Sequence, residues 1–277
     1  MTAPSVRAPA VAGKFYPGAK DALQREVRGL LHAAEPAGPE APARGAVVPH
    51  AGYVYSGLTA AHVFRRVTLP KVIVVLAPNH TGVCDAPQGA SLWARGAFHT
   101  PLGDVPVAEA FAAELLDSCP LVGVDHTAHE QEHAVEVELP FLQERAPEAR
   151  IVPLILAWDT WEMCETLGLA LADLVRRWAE PVFLLASSDL NHYEAATVSE
   201  EKDARAISAL QAVDGKELLK RCRRERISMC GRGPAAVTLV ATRALGATRG
   251  ELVDYRHSGW VTNDESRVVG YAGVVIP

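Results

Sequence analysis

The sequence predicts one α/β domain, a three-layer sandwich whose central sheet is largely parallel or mixed and carries helices on both faces. Three observations lead there. Short apolar runs of strand length alternate with helix-length runs along most of the 277 residues, the pattern of a sheet buried on both sides. Hydrophobic residues make up 49% of the chain, enough for a sizeable core. The one linker-like stretch, Glu35-Pro36-Ala37-Gly38-Pro39-Glu40-Ala41-Pro42, comes too early to divide the chain, so residues 1–277 read as a single domain.

Residues 1–18 read as an extended lead-in, with Ala12-Gly13 and Pro17-Gly18 as turns. A helix follows over 21–34. A strand over 45–49 runs straight into His50-Ala51-Gly52, and a helix is expected over 58–66, after Ser56-Gly57. A second strand over 71–77 runs into Pro78-Asn79-His80. Residues 107–117 read as a helix, as do 132–145, with Pro140 a kink or break. Buried strands are expected over 151–156 and 182–186, and helices over 161–178, 200–212 and 234–245. Strands over 251–255 and 268–276 close the chain. There is no internal repeat.

The net charge of -6 argues against a dedicated nucleic-acid binder and gives no attraction to an anionic membrane. The basic run Arg221-Cys222-Arg223-Arg224-Glu225-Arg226 reads as a solvated helix face. The first residues lack the charged and apolar regions of a signal peptide, and no apolar run is long enough to span a bilayer. A cytoplasmic location is therefore expected. Five cysteines at irregular spacing, without C-x-x-C, do not form a disulfide framework.

Three features share one design, a buried strand followed at once by potential ligands. They are Ala46-Val47-Val48-Pro49-His50, then Val74-Val75-Leu76-Ala77-Pro78-Asn79-His80, then Leu184-Leu185-Ala186-Ser187-Ser188-Asp189-Leu190-Asn191-His192. In open α/β sheets ligands bind outside the carboxyl ends of the strands. A lone histidine after a strand is ordinarily a hydrogen-bonding residue. Three such tips together point to one crevice holding His50, His80, Asp189 and His192. Imidazoles with a carboxylate are a common non-haem metal set. Cys230, in Ser228-Met229-Cys230-Gly231-Arg232-Gly233-Pro234, precedes a predicted helix. Beside Arg232 and a helix N-terminus its thiol is expected to ionise readily, as a metal ligand or a reactive group. The plainer reading is a buried cysteine in a tight turn.

His129-Glu130-Gln131-Glu132-His133 matches H-E-x-x-H and also H-x-x-E-H. The zinc protease pattern needs both histidines on one continuous helix, whereas the upstream run Asp125-His126-Thr127-Ala128 is polar and turn-like. The expectation is that His133 and Glu136 face the crevice, as substrate-contacting or ligand-supporting groups, and that the outer histidines lie on the surface.

Taken together the motifs resemble the Memo family. They are Val11-Ala12-Gly13-Lys14-Phe15-Tyr16-Pro17, Pro49-His50-Ala51-Gly52-Tyr53, Pro78-Asn79-His80, Glu132-His133-Ala134-Val135-Glu136-Val137-Glu138-Leu139-Pro140, Ser187-Ser188-Asp189-Leu190-Asn191-His192 and Cys230-Gly231-Arg232-Gly233-Pro234. They occur in the family's order and span nearly the whole chain. Bacterial members are also known as protein B of the AmmeMemoRadiSam system. The resemblance implies a fold like the class III extradiol dioxygenases, which hold non-haem iron by two histidines and a carboxylate. It implies His50 and His80 as the histidine ligands and Cys230 in the third position. It also implies Asp189 close to the metal and His192 as acid and base. Tyr53, Asn79, His133, Glu136 and Arg232 are expected around them.

The resemblance implies iron(II) as the first cofactor, with copper second and zinc third, since a thiolate, softer than a carboxylate, favours copper(I) or zinc as well as iron. The function expected is a metal-dependent redox protein, an oxidoreductase of dioxygenase-like type, with a small molecule or peptide in the cleft. The alternatives are a non-catalytic peptide- or protein-binding module with a vestigial cleft, and a zinc hydrolase using His129 and His133. A radical-SAM protein is the partner the resemblance suggests, and a homodimer is the base-rate oligomer.

Overall fold

The computed structural model describes residues 5–34 and 38–277. Residues 1–4 of the expected lead-in and 35–37 of the expected loop lie outside the described residues. The central sheet has nine strands: β1 (Gly45–Val48), β2 (Val72–Pro78), β3 (Ala90–Leu92), β4 (Val122–Val124), β5 (Arg150–Leu156), β6 (Val182–Ser187), β7 (His192–Glu194), β8 (Glu251–His257) and β9 (Val268–Ile276). Every residue of β1, β2 and β6 is buried. That is why these segments are continuous apolar runs without alternation.

β6 lies between β1 and β2 and is parallel to both, and β5 continues the parallel set beyond β2. The carboxyl ends of all four therefore meet one edge of the sheet. Antiparallel strands flank them. β9 pairs with β1, and β7 and β8 pair with β9. On the other side β3 runs antiparallel to β5, with β4 beside it. The sheet is thus mixed, with a parallel centre.

The main helices are α1 (Lys20–Ala33), α2 (Tyr53–Arg66), α3 (Glu109–Ser118), α4 (Leu139–Arg145), α5 (Trp161–Arg177), α6 (Ala196–Gln211), α7 (Gly215–Glu225) and α8 (Arg232–Ala244). α2 packs on α1 and against β8 and β9, while α8 packs on α5 and α7 and against β1, β2 and β6. α8 approaches closely because β1 opens with glycine. A Cβ on Gly45 would lie 2.4 Å from the carbonyl oxygen of Leu184 and 3.2 Å from Thr242 of α8. No helix among the described residues is long and apolar enough to cross a membrane.

Several boundaries differ from expectation. α2 begins at Tyr53, not at residue 58, because Ser56, Gly57 and Thr59 are not turn residues but a buried small-residue face. The expected helix over 132–145 is broken into a 3-10 turn, Glu136–Glu138, and α4, which has Pro140 in its first turn. There a missing N–H costs nothing, so the proline starts a helix instead of kinking one. The lead-in holds a short strand, Val6–Arg7, paired with Ala97–Thr100.

Candidate metal centre

His50 follows β1 and is almost completely buried. Its backbone N–H donates to Asp189 Oδ1 at 2.8 Å, and its ring Nδ1 lies 2.8 Å from Ser187 Oγ at the end of β6. The same hydroxyl meets the Ala134 carbonyl at 2.7 Å and Glu138 Oε1 at 2.9 Å. A carbonyl can only accept. The arrangement that satisfies all three partners puts the hydroxyl proton on Ala134 and has His50 Nδ1–H and Glu138 both donating to Ser187. Glu138 must then be a neutral acid, in keeping with burial that pushes its carboxyl well above the usual range. His50 Nε2 is left bare and faces the crevice.

His80 follows β2 with its side chain 32% exposed. Its Nδ1 lies 2.9 Å from Glu132 Oε1, which leaves Nε2 free. His133 brings a third imidazole. The ring centroids stand 5.1 Å apart for His50 and His80, 5.4 Å for His50 and His133, and 4.7 Å for His80 and His133. One nitrogen from each lies within 4.8 Å of the others.

Cys230 Sγ lies 3.3 Å from His50 Nε2 and accepts the Asp189 N–H at 3.3 Å. Gly231 makes this possible. A Cβ there would fall 2.4 Å from the Ser187 carbonyl oxygen, so only glycine lets the turn lie on the tip of β6. The easily ionised thiol expected from sequence is not found. Burial and the nearby Asp189 charge push the thiol up, and Arg232 is turned away to Asp159, its Nε 2.5 Å from Oδ2. Asp189 itself is pushed up to about 7 by burial, against the hydrogen bonds from the His50 and Ala51 amides. His192 donates Nδ1–H to the Ser228 carbonyl at 3.0 Å, and burial lowers its pKa. Its Nε2 is thereby left as a proton acceptor.

These six residues line one crevice of about 810 Å³. Its remaining walls include Phe15, Val54, Tyr55, Tyr193 and Tyr271, with Lys14 as a cation. Phe15 packs on His133 with ring centroids 4.8 Å apart. From sequence the lead-in reads as extended chain and its 11–17 segment as a family-like motif, which does not assign Phe15 to the crevice.

Four other expected residues do not line the crevice, because neighbours consume their polar groups. Tyr53 is buried and donates its hydroxyl to the Val137 carbonyl at 2.8 Å. Asn79 closes its own loop, through the Val83 carbonyl at 2.7 Å and the Gly82 N–H at 2.8 Å. Arg232 pairs with Asp159. Glu136 is fully buried, where it holds Arg7, the Tyr16 hydroxyl and the backbone amides of Ala10 and Val11. His129, expected on the surface, is completely buried. Its Nε2 lies 3.0 Å from the Ser91 carbonyl oxygen, beside Trp93 and Phe98, and burial drives its pKa to about 3. Only one helical turn, Thr127–Glu130, surrounds it, so His129 and His133 do not share a helix face.

A family model described as "Memo-like protein" matches residues 7–275. The chain belongs to the Memo family. The match begins at Arg7 and takes in every crevice residue named above. Similar Memo family relatives include MEMO1 family proteins of Methanosarcina barkeri, 40% identical over 98% of this chain and 100% of the relative, and of Methanopyrus kandleri, 38% identical over 97% and 98%. One from Aquifex aeolicus is 38% identical over 98% of each. Among solved structures, an uncharacterized protein from Escherichia coli K12 superposes with a TM-score of 0.56 at 14% identity. It covers 84% of this chain and 99% of its own. That likeness is one of fold, an α/β sandwich, and of fold alone.

Proposed function

We propose that this Memo family chain is a metal-binding redox protein with a dioxygenase-like site, taking iron(II) first and copper second, and acting on a small molecule or peptide held in the crevice. One observation carries the reading. Three imidazoles, one nitrogen of each within 4.8 Å of the others, stand beside a thiol 3.3 Å from one of them. The donor set fits such an ion, since imidazole and thiolate suit iron, copper and zinc, and two of the rings have their other nitrogen engaged. His50, His80 and Cys230 would hold it, with His133 in reach as a further donor. When bound, the ion would supply Lewis acidity and a one-electron couple.

The rest is work for the chain's own groups. His192 Nε2 would accept a proton from the substrate and return it. Asp189, pushed up to about 7, would hold or release a proton near neutral pH. Phe15, Tyr55 and Tyr271 would exclude water and orient an apolar part of the ligand.

The test is anaerobic titration with iron(II) and copper(I), comparing wild type with Cys230→Ala. Stoichiometric binding, weakened at least about ten-fold in the variant, supports the site. A wild type that binds neither ion sinks it. A second reading, a non-catalytic binding cleft, is favoured by the apolar mouth, where Val54 and Tyr193 are each 64% exposed. Turnover of a small substrate that disappears in His192→Ala would count against that second reading.

A further inference from the structure

Glu132 lies in the run that matched H-E-x-x-H, and the metal reading leaves it without a role. Its side chain is fully buried, yet no lysine or arginine pairs with it. Among the described residues its ion-pair partners are His80 at 2.9 Å and His133 at 3.3 Å. Three backbone N–H donors and the His80 ring nitrogen converge on the carboxylate. Oε2 accepts the His80 backbone N–H at 2.6 Å. Oε1 faces His80 Nδ1 at 2.9 Å and accepts the backbone N–H groups of His133 at 2.8 Å and Ala134 at 3.0 Å.

Two things follow. Three backbone N–H groups can only donate, so the carboxylate is held in its charged form. A charged Glu132 accepts at Oε1 and keeps the His80 ring proton on Nδ1. A buried negative charge also needs a positive one nearby. Arg7 does not supply it, since its guanidinium is committed to Glu136 and reaches only the backbone carbonyl of Glu132, at 2.5 Å. Among the described residues the charged partners within reach are the two imidazoles.

We propose that Glu132 is the positioning residue of this centre. It fixes His80 with Nε2 aimed into the crevice, anchors the His133 backbone beside it, and supplies the negative charge that a cation held by these two rings would balance. The proposal rests on the metal-binding reading and goes beyond it, in assigning the tautomer and the charge to one carboxylate outside the ligand set.

The test uses the full chain, cobalt(II) as the probe ion, and nitrogen NMR of ring-labelled histidine in the metal-free protein. The His80 signal is assigned by its loss in His80→Gln. In wild type it should carry its proton on Nδ1. In Glu132→Gln the amide must turn a donor towards other donors, so the Nε2–H form becomes populated and cobalt(II) affinity falls about 10–100-fold. A merely structural role would lower the unfolding temperature without moving the tautomer. A wild-type His80 with its proton on Nε2 overturns the proposal, as does a folded Glu132→Gln protein that binds cobalt(II) as tightly as wild type. If that variant does not fold, the wild-type spectrum alone decides. A wild type that binds no cobalt(II) overturns the metal reading and the charge role together, while the tautomer still tests the orienting role.

Discussion

Asp189 is pulled in two directions. Amide donors from His50 and Ala51 favour its charge, and burial opposes it and prevails, lifting the carboxyl to about 7. In the unfolded chain the same group titrates near 3.8. An acid raised on folding contributes stability that is fully present below the unfolded value and is lost as pH rises through the folded one. The metal-free protein should therefore lose stability between about pH 4 and pH 7, by at most about 1.4 kcal/mol per pH unit for one group. Asp189→Asn should flatten that slope in denaturant titrations across the range. Asp203, also pushed up to about 7 by burial, should keep part of the slope in the variant. Cys230 shows the same contest. A reading of its neighbours in sequence placed a helix N-terminus and Arg232 beside it, but Arg232 bonds Asp159 and burial decides.

At the level of elements, the chain from Val6 to Tyr16 is secured by one ion pair. Arg7 and Glu136 are both completely buried, and Arg7 also donates Nε–H to the His129 carbonyl at 2.9 Å. Arg7→Met should strand the Glu136 charge and cost about 3–5 kcal/mol, read as a lower urea midpoint at unchanged slope. Adding Glu136→Gln should restore much of the loss. These elements also mark how far the sequence could be read. The tips of β1, β2 and β6 were legible because each is an unbroken apolar run ending on a ligand-type residue. Arg7 with Glu136, and Glu138 with Ser187, were not legible as partners, because each partnership joins residues far apart in sequence. The start of α2 was misread for the opposite reason. Ser56 and Gly57 have turn chemistry locally, and only packing shows why they are small: a Cβ on Gly57 would lie 2.8 Å from Leu30 of α1.

For the whole molecule, a ligand that binds only the folded chain adds stability by mass action. At 100-fold over its dissociation constant an ion should contribute about 2.7 kcal/mol, a rise of roughly 5–10 °C in unfolding temperature for a chain of this size. Anaerobic calorimetry with iron(II) should record that rise in wild type and little of it in His50→Ala. The parallel centre of the sheet is what makes one small edge responsible for so much, since it gathers donors from β1, β2, β6 and the turn before α8. Those donors are widely spaced along the chain. Cys230 and His50 are 180 positions apart. Loops that long close slowly, and a chain emerging from the ribosome cannot close them until the later residue has been made. The complete donor set is thus among the last things synthesis delivers. A nascent chain presents scattered single histidines, so if the centre holds an ion as proposed, its loading would be a post-translational event that reports the finished fold.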